Sequence, residues 1–290
     1  MTSAGIPMSQ VQHTPMGTGN NPFVPNVAPQ LFPAPQQVPP VIPAIVPPIP
    51  VYNGVNPSYP GLHVLNSSPP VFCVDNFLSP EECDFLIASS LDSFAPAPVV
   101  GKGGGEVSET RTSSTCYLAR EDLPLYMNKI MALTGKPLEH CELPQIGRYL
   151  PSQKYLQHFD AFDLGDEHGR RFASNGGQRT VTVLLYLNDV MNGGHTTFPS
   201  LNLEVKPRRG MAIVFFPATI DGYLDKMALH AALPAIDTKF VSQVWIRQGN
   251  YEGQPSKHLE YKMDIVGVKQ MQQALASGVM VQNRLSTGLV

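Results

Sequence analysis

The sequence predicts a mainly β fold with flanking helices, built on a double-stranded β-helix, or jelly roll. Three observations carry this. Two amphipathic helical segments come early, near residues 79–91 and 122–133. Short apolar runs bounded by turn residues then follow to residue 250. The clearest are Ile146–Leu150, Arg179–Leu187, Gly210–Phe216 and Lys239–Arg247, each of strand length. Helices followed by many short strands suit helices packed on a two-sheet roll.

The chain divides into three parts. The first 74 residues contain no Asp, Glu, Lys or Arg, and 15 of the 29 prolines fall in residues 1–60. Proline lacks a backbone donor and fixes φ, so residues 1–68 read as an extended, disordered tail of polyproline-II character. Residues 69–250 read as the folded domain, and 251–290 as a polar C-terminal extension, partly helical or disordered.

Within the domain, Val71–Val74 reads as a strand. Ser79-Pro80-Glu81-Glu82 is a helix start, with Ser79 at the N-cap and Glu82 closing a capping box. Residues 101–110 (GKGGGEVSET) are glycine-rich and polar and predict a mobile loop, with a strand at Arg111–Leu118 beyond it. The helix of residues 122–133 ends at Gly135 and Pro137. A short helix is expected over residues 267–276.

A net charge of −3 offers no electrostatic footprint for nucleic acid. No apolar run has membrane-spanning length and no secretory signal is visible, so the expectation is a soluble, cytoplasmic protein. Cys73, Cys83, Cys116 and Cys141 are scattered, without a CxxC pair, and read as buried reduced thiols.

His158-Phe159-Asp160 has a metal-ligand form. On a strand, residues i and i+2 share a face, so imidazole and carboxylate converge. His230 supplies a third ligand just ahead of another strand. Two histidines and one carboxylate on one face of an iron leave positions open for a chelating co-substrate and O2. The dipeptide pattern alone is weak, because His140/Glu142 and His258/Glu260 match it too. Those two sit at a helix end and in the polar extension and read as surface pairs. Nine residues after His230, Lys239 enters a β run, where its cation could meet the distal carboxylate of 2-oxoglutarate.

These residues and their neighbours resemble the prolyl 4-hydroxylase family of 2-oxoglutarate oxygenases. The likeness runs from about Val71 to Arg247 in ordered blocks. They include Val74-Asp75-Asn76-Phe77-Leu78-Ser79-Pro80-Glu81-Glu82-Cys83, Arg111-Thr112-Ser113-Ser114, Arg148-Tyr149, Gln153-Lys154-Tyr155 and His158-Phe159-Asp160. Farther on come Thr182-Val183-Leu184-Leu185-Tyr186-Leu187-Asn188, Gly193-Gly194-His195-Thr196-Thr197-Phe198-Pro199, His230-Ala231-Ala232-Leu233-Pro234, and Lys239 with Trp245-Ile246-Arg247.

The resemblance implies a dioxygenase that hydroxylates peptidyl proline at C4 and releases succinate and CO2. It implies Fe(II), 2-oxoglutarate, O2 and ascorbate as cofactors and co-substrates, and a proline-containing peptide or protein as partner. His158, Asp160 and His230 would bind iron. Lys239 would hold the 2-oxoglutarate C5 carboxylate, helped by Tyr149 and Thr182. Trp245 would wall the pocket, Tyr155 would lie by the substrate ring, and Arg111 would sit at the hinge of the loop that closes over a peptide. Tyr149, Tyr155, Trp245 and Thr182 also suit a plain core. The same chemistry on a lysyl, small-molecule or lipid substrate is the main alternative, and a non-catalytic peptide-binding module the other. Three departures from the family pattern bear on the substrate: His195 in place of Glu, nine residues from His230 to Lys239 rather than ten, and Ser152 in place of Gly.

Overall fold

The structure, a computed structural model, describes residues 49–101, 104–255 and 257–277. Its strands in chain order are β1 (Leu62–Ser67), β2 (Pro70–Val74), β3 (Ala95–Pro96), β4 (Pro98–Gly101), β5 (Gly104–Val107), β6 (Ser114–Tyr117), β7 (Gln145–Tyr149), β8 (Tyr155–His158), β9 (Arg179–Tyr186), β10 (Thr196–Phe198), β11 (Leu203–Val205), β12 (Ala212–Phe215), β13 (His230–Ala232) and β14 (Lys239–Arg247). The helices are α1 (Pro80–Ser90), α2 (Pro124–Thr134), α3 (Glu167–Ala173) and α4 (Ile265–Ala276).

The expected roll is present. A large sheet runs β1-β2-β12-β9-β14-β7-β6-β3, and a small one β11-β10-β13-β8. All their pairings are antiparallel. Central strands β9 and β14 are buried on both faces, so β9 reads as a nearly continuous apolar run. Alternation still sorts their side chains. Val181, Val183, Leu185, Val244 and Ile246 join the core that takes in Phe85, Leu86, Tyr126 and Ile130 of α1 and α2. Leu184, Tyr186 and Val241 point the other way and pack with Phe198 and Phe215. Each such apolar side chain removed from water is worth roughly 1.5–3 kcal/mol. All four cysteines are buried.

The helix ends follow the local chemistry. Ser79 N donates to Glu82 Oε2 at 2.7 Å while Glu82 N donates to Ser79 Oγ at 3.2 Å, which completes the capping box. At the end of α2, Gly135 adopts φ +65° and its N–H donates to Met131 O. Only glycine takes that left-handed conformation without strain.

Several expectations need correction. Order begins before residue 68: β1 pairs with β2, and Tyr52, Val55 and Tyr59 pack on the core. The reading of residues 1–48 as a tail lies outside the described residues. The glycine-rich stretch expected as a loop is largely a β hairpin, β4 against β5, with Lys102 and Gly103 outside the described residues. The boundary at 250 also fails, because Met263 and Met271 of the extension are buried in the main core. Helix α4, capped by Asp264, begins at Ile265, two residues ahead of expectation. Helix α3 was not anticipated; Asp166 caps it by accepting from His168 N and Gly169 N. Among the described residues no helix is long and apolar enough to cross a membrane.

Candidate active site

Two of the three expected ligands meet because they are cross-strand partners. His158 ends β8, His230 begins β13, and the two pair directly in the small sheet. Their rings lie 4.2 Å apart between centroids. Asp160 follows just past the end of β8, in a bend. It therefore reaches the site by a turn of the chain, and not by the strand alternation that the sequence suggested.

The donor set fits a divalent cation. His158 Nδ1 lies 2.8 Å from Leu156 O, and His230 Nδ1 lies 3.0 Å from Ala228 O. A carbonyl oxygen only accepts, so each Nδ1 carries the proton and each Nε2 presents a lone pair. Both Nε2 atoms face Asp160, at 3.7 Å from Oδ1 for His158 and 3.7 Å from Oδ2 for His230. Those gaps exceed hydrogen-bond length. One ligand atom from each of the three residues lies within 4.8 Å of the others, close enough to share one ion.

Burial, with His230 adjacent, pushes the His158 pKa down to about 3 and keeps its ring neutral. Burial alone would raise the Asp160 pKa, but His230, His158, Arg179 and the Thr182 hydroxyl hold it below the ordinary carboxylate range. Neutral imidazoles and an ionised carboxylate are the ligand forms a metal needs. The facial arrangement of two histidines and one carboxylate belongs to non-haem Fe(II) chemistry.

A groove of about 860 Å³ opens over His158 and Asp160, with Arg111, Tyr155, Arg179 and Trp245 among its walls. Tyr155 stacks on His158 at 3.5 Å and 12°. The Arg111 guanidinium lies 4.8 Å from the Tyr155 ring centroid. Arg111 also donates to Gln145 Oε1 at 2.6 Å and to Pro98 O at 3.3 Å, and so ties the foot of the β4–β5 hairpin to the groove. Trp245 is 5% exposed, and its Nε1 has no acceptor among the described residues.

Lys239, Tyr149 and Thr182 lie on strands of the large sheet but do not line the groove. Lys239 is 1% exposed, and no carboxylate lies within ion-pair distance among the described residues. Its Nζ donates to Gly194 O at 2.7 Å and stands 4.6 Å from the Tyr149 ring centroid. A side chain on Gly194 would come within 3.3 Å of the lysine stem, so glycine there lets the two segments close. Burial lowers the Lys239 pKa to about 7. The Thr182 hydroxyl donates to Asp160 Oδ2 at 2.8 Å.

The sequence reading missed an ion cluster beside the triad. Glu142, placed at the surface by that reading, is 5% exposed and accepts from both Arg179 and Arg247. Arg179 also donates to Asp160 O at 3.4 Å and covers Trp245, with its guanidinium 3.9 Å from the ring centroid. Alternation along β14 held the signal. Lys239, Val241, Trp245 and Arg247 fall two or four residues apart on one face, and a buried arginine at its end needs a carboxylate. Of the rival pair His258/Glu260, His258 contacts Asp122 at 3.1 Å and is largely exposed; His195, the departure from the family pattern, pairs with Glu204, and neither histidine joins the triad.

Roll, triad and groove together define a non-haem Fe(II), 2-oxoglutarate-dependent oxygenase. The family model described as "2OG-Fe(II) oxygenase superfamily" matches residues 144–247. Among curated proteins, "Probable prolyl 4-hydroxylase 3" of Arabidopsis thaliana is 35% identical over 214 residues, 65% of this chain and 73% of that protein. "Prolyl 4-hydroxylase 2" of the same plant is 31% identical over 225 residues, 68% of this chain and 73% of its own length. Among solved structures, a viral collagen prolyl hydroxylase from Paramecium Bursaria Chlorella virus-1, in complex with 2OG, is 28% identical with a TM-score of 0.46, covering 61% of this chain and 95% of that one. This chain belongs to the prolyl 4-hydroxylase family of Fe(II)- and 2-oxoglutarate-dependent dioxygenases.

Proposed function

We propose that the chain hydroxylates peptidyl proline at C4, with His158, Asp160 and His230 as the iron ligands. The observation that carries this reading is the pair of histidine Nε2 lone pairs facing one ionised carboxylate at the floor of an open groove. When bound, iron and 2-oxoglutarate supply the oxidising power, using O2 and releasing succinate and CO2, and ascorbate keeps the iron reduced.

The protein's own groups would hold, orient and exclude. Leu156 O and Ala228 O fix the ring orientations of the two histidines. Thr182 fixes Asp160. The buried ammonium of Lys239, with no carboxylate partner among the described residues, suits the distal carboxylate of 2-oxoglutarate, a partner that would offset its desolvation. Tyr155 offers an aromatic face beside His158 on which a prolyl ring can pack. Trp245 would wall the groove, and Arg111 would sit at the hinge of the hairpin beside it.

The test is anaerobic binding of Fe(II) and 2-oxoglutarate, followed by turnover on a proline-rich peptide library. Hydroxyproline and succinate in equal amounts support the reading. Succinate formed with a +16 Da product on lysine or a small molecule would move the enzyme to another substrate. No succinate with any substrate would refute catalysis.

A further inference from the structure

We propose that the proline-rich segment at the start of this chain is itself a substrate, hydroxylated at C4 of its prolines by the active site of the same molecule or of a second copy. The inference rests on the prolyl hydroxylation proposed above. Residues 1–48 hold 12 prolines and no Asp, Glu, Lys or Arg, and the site described above uses none of them. Their last stretch, Val41-Ile42-Pro43-Ala44-Ile45-Val46-Pro47-Pro48, sets prolines among large apolar side chains.

The groove is dressed for such a peptide. Phe159 lines it and is 38% exposed, and the rings of Tyr117, Tyr155, Phe162, Trp245 and Tyr251 line it too. Covering these rings with a charge-free peptide buries apolar surface without desolvating any charge on the peptide. Aromatic-lined grooves are also a recurrent way to hold proline-rich chains.

The described chain that follows the segment is anchored next to the groove. Ile220 N donates to Val51 O at 2.9 Å, and Tyr52 Oη donates to Asp225 Oδ2 at 2.7 Å. The same 219–225 loop meets Gln178, whose Nε2 donates to Gly222 O at 3.4 Å. Gln178 also bonds both backbone groups of Phe162, a groove residue. One side chain thus separates the attachment loop from the groove wall. Covalent geometry lets 48 residues reach up to roughly 160 Å, so length does not bar entry. Tethering raises the local concentration of such a substrate to about the millimolar range.

The chemistry balances with the co-substrates already named. One C4–H bond of proline is replaced by C4–OH, with one oxygen atom from O2. The other oxygen atom enters succinate as 2-oxoglutarate loses CO2. Proline and 2-oxoglutarate each give up two electrons, and O2 takes four.

The experiment uses the purified full chain with Fe(II), 2-oxoglutarate, ascorbate and air, with poly(L-proline) as an external substrate in a parallel arm. Cleavage on the N-terminal side of Asp75, the first acidic residue, releases residues 1–74 as one fragment. Met1, Met8 and Met16 gain the same 16 Da on oxidation, so fragment-ion spectra must place the added oxygen on proline. The expected result is hydroxyproline in fragment 1–74, absent when 2-oxoglutarate is omitted and absent in His158→Ala. A rate per molecule that is independent of dilution marks reaction within one chain; a rate that falls with dilution marks a second copy. Either supports the proposal. An unmodified fragment beside hydroxylated poly(L-proline) overturns it and leaves the prolyl hydroxylase reading standing. If neither is hydroxylated, both fall together.

Discussion

The Thr182 hydroxyl donates to Asp160 Oδ2 at 2.8 Å, so a residue of central strand β9 orients the carboxylate between the two histidines. Partners one step behind a metal ligand commonly hold 10–100-fold in affinity. Thr182→Val should weaken Fe(II) or Co(II) binding by roughly that factor, and Thr182→Ser should restore it. Calorimetric titration of the metal checks this. A Val variant with unchanged affinity would show that Asp160 needs no such support.

Lys239→Ala should raise the 2-oxoglutarate KM by about 30-fold or more, since removing one partner of a buried charge pair costs about 2–5 kcal/mol. At saturating 2-oxoglutarate kcat should recover most of its value. Steady-state kinetics with varied co-substrate separates the two parameters.

Lys239 also sets a pH dependence. Burial places its pKa near 7 before co-substrate binds, and the cation is the form that attracts a carboxylate. Below pH 7 the charge is present and binding is strongest. Above it, each unit of pH costs up to about tenfold in affinity, because the proton must be taken up again on binding. Binding of 2-oxoglutarate measured from pH 6 to 9 should weaken steadily above neutrality; a flat profile would contradict the assignment.

Glu142→Gln leaves Arg179 and Arg247 buried without their shared anion. Breaking a buried pair in this way costs about 3–5 kcal/mol. For a protein of this size a thermal shift of roughly 10 °C follows. Calorimetry on the metal-free protein reads it without interference from activity.

Trp245→Phe keeps the ring under Arg179 and removes an indole donor that has no acceptor among the described residues. A net hydrogen bond is worth about 0.5–1.5 kcal/mol, so peptide KM should rise by up to about tenfold with the 2-oxoglutarate KM unchanged. An equal rise in both would place Trp245 in the co-substrate site.

Much of this was legible in the chain. The capping box at Ser79, the strand spans of β9 and β14 and the choice of His158/Asp160 over its rivals follow from local chemistry and ordered context. What escaped depends on contacts distant in sequence. Glu142 looked like a surface residue because its two arginines lie 37 and 105 residues away. The bond from Thr182 to Asp160 depends on a bend that the local sequence does not mark. Residues before Pro70 carry no charge and many prolines, and no local rule marks Tyr52 and Tyr59 as residues that pack on the core.

The direct pairing of His158 with His230 decides where this enzyme can change over evolutionary time. The distance between the two ligands is set across one ladder, not by the chain that joins them. Loops in that intervening chain can therefore lengthen or shrink without separating the two ligands. A single residue inserted within β8 or β13 is another matter. It would turn one imidazole to the opposite face and abolish the centre while every ligand remained in the sequence.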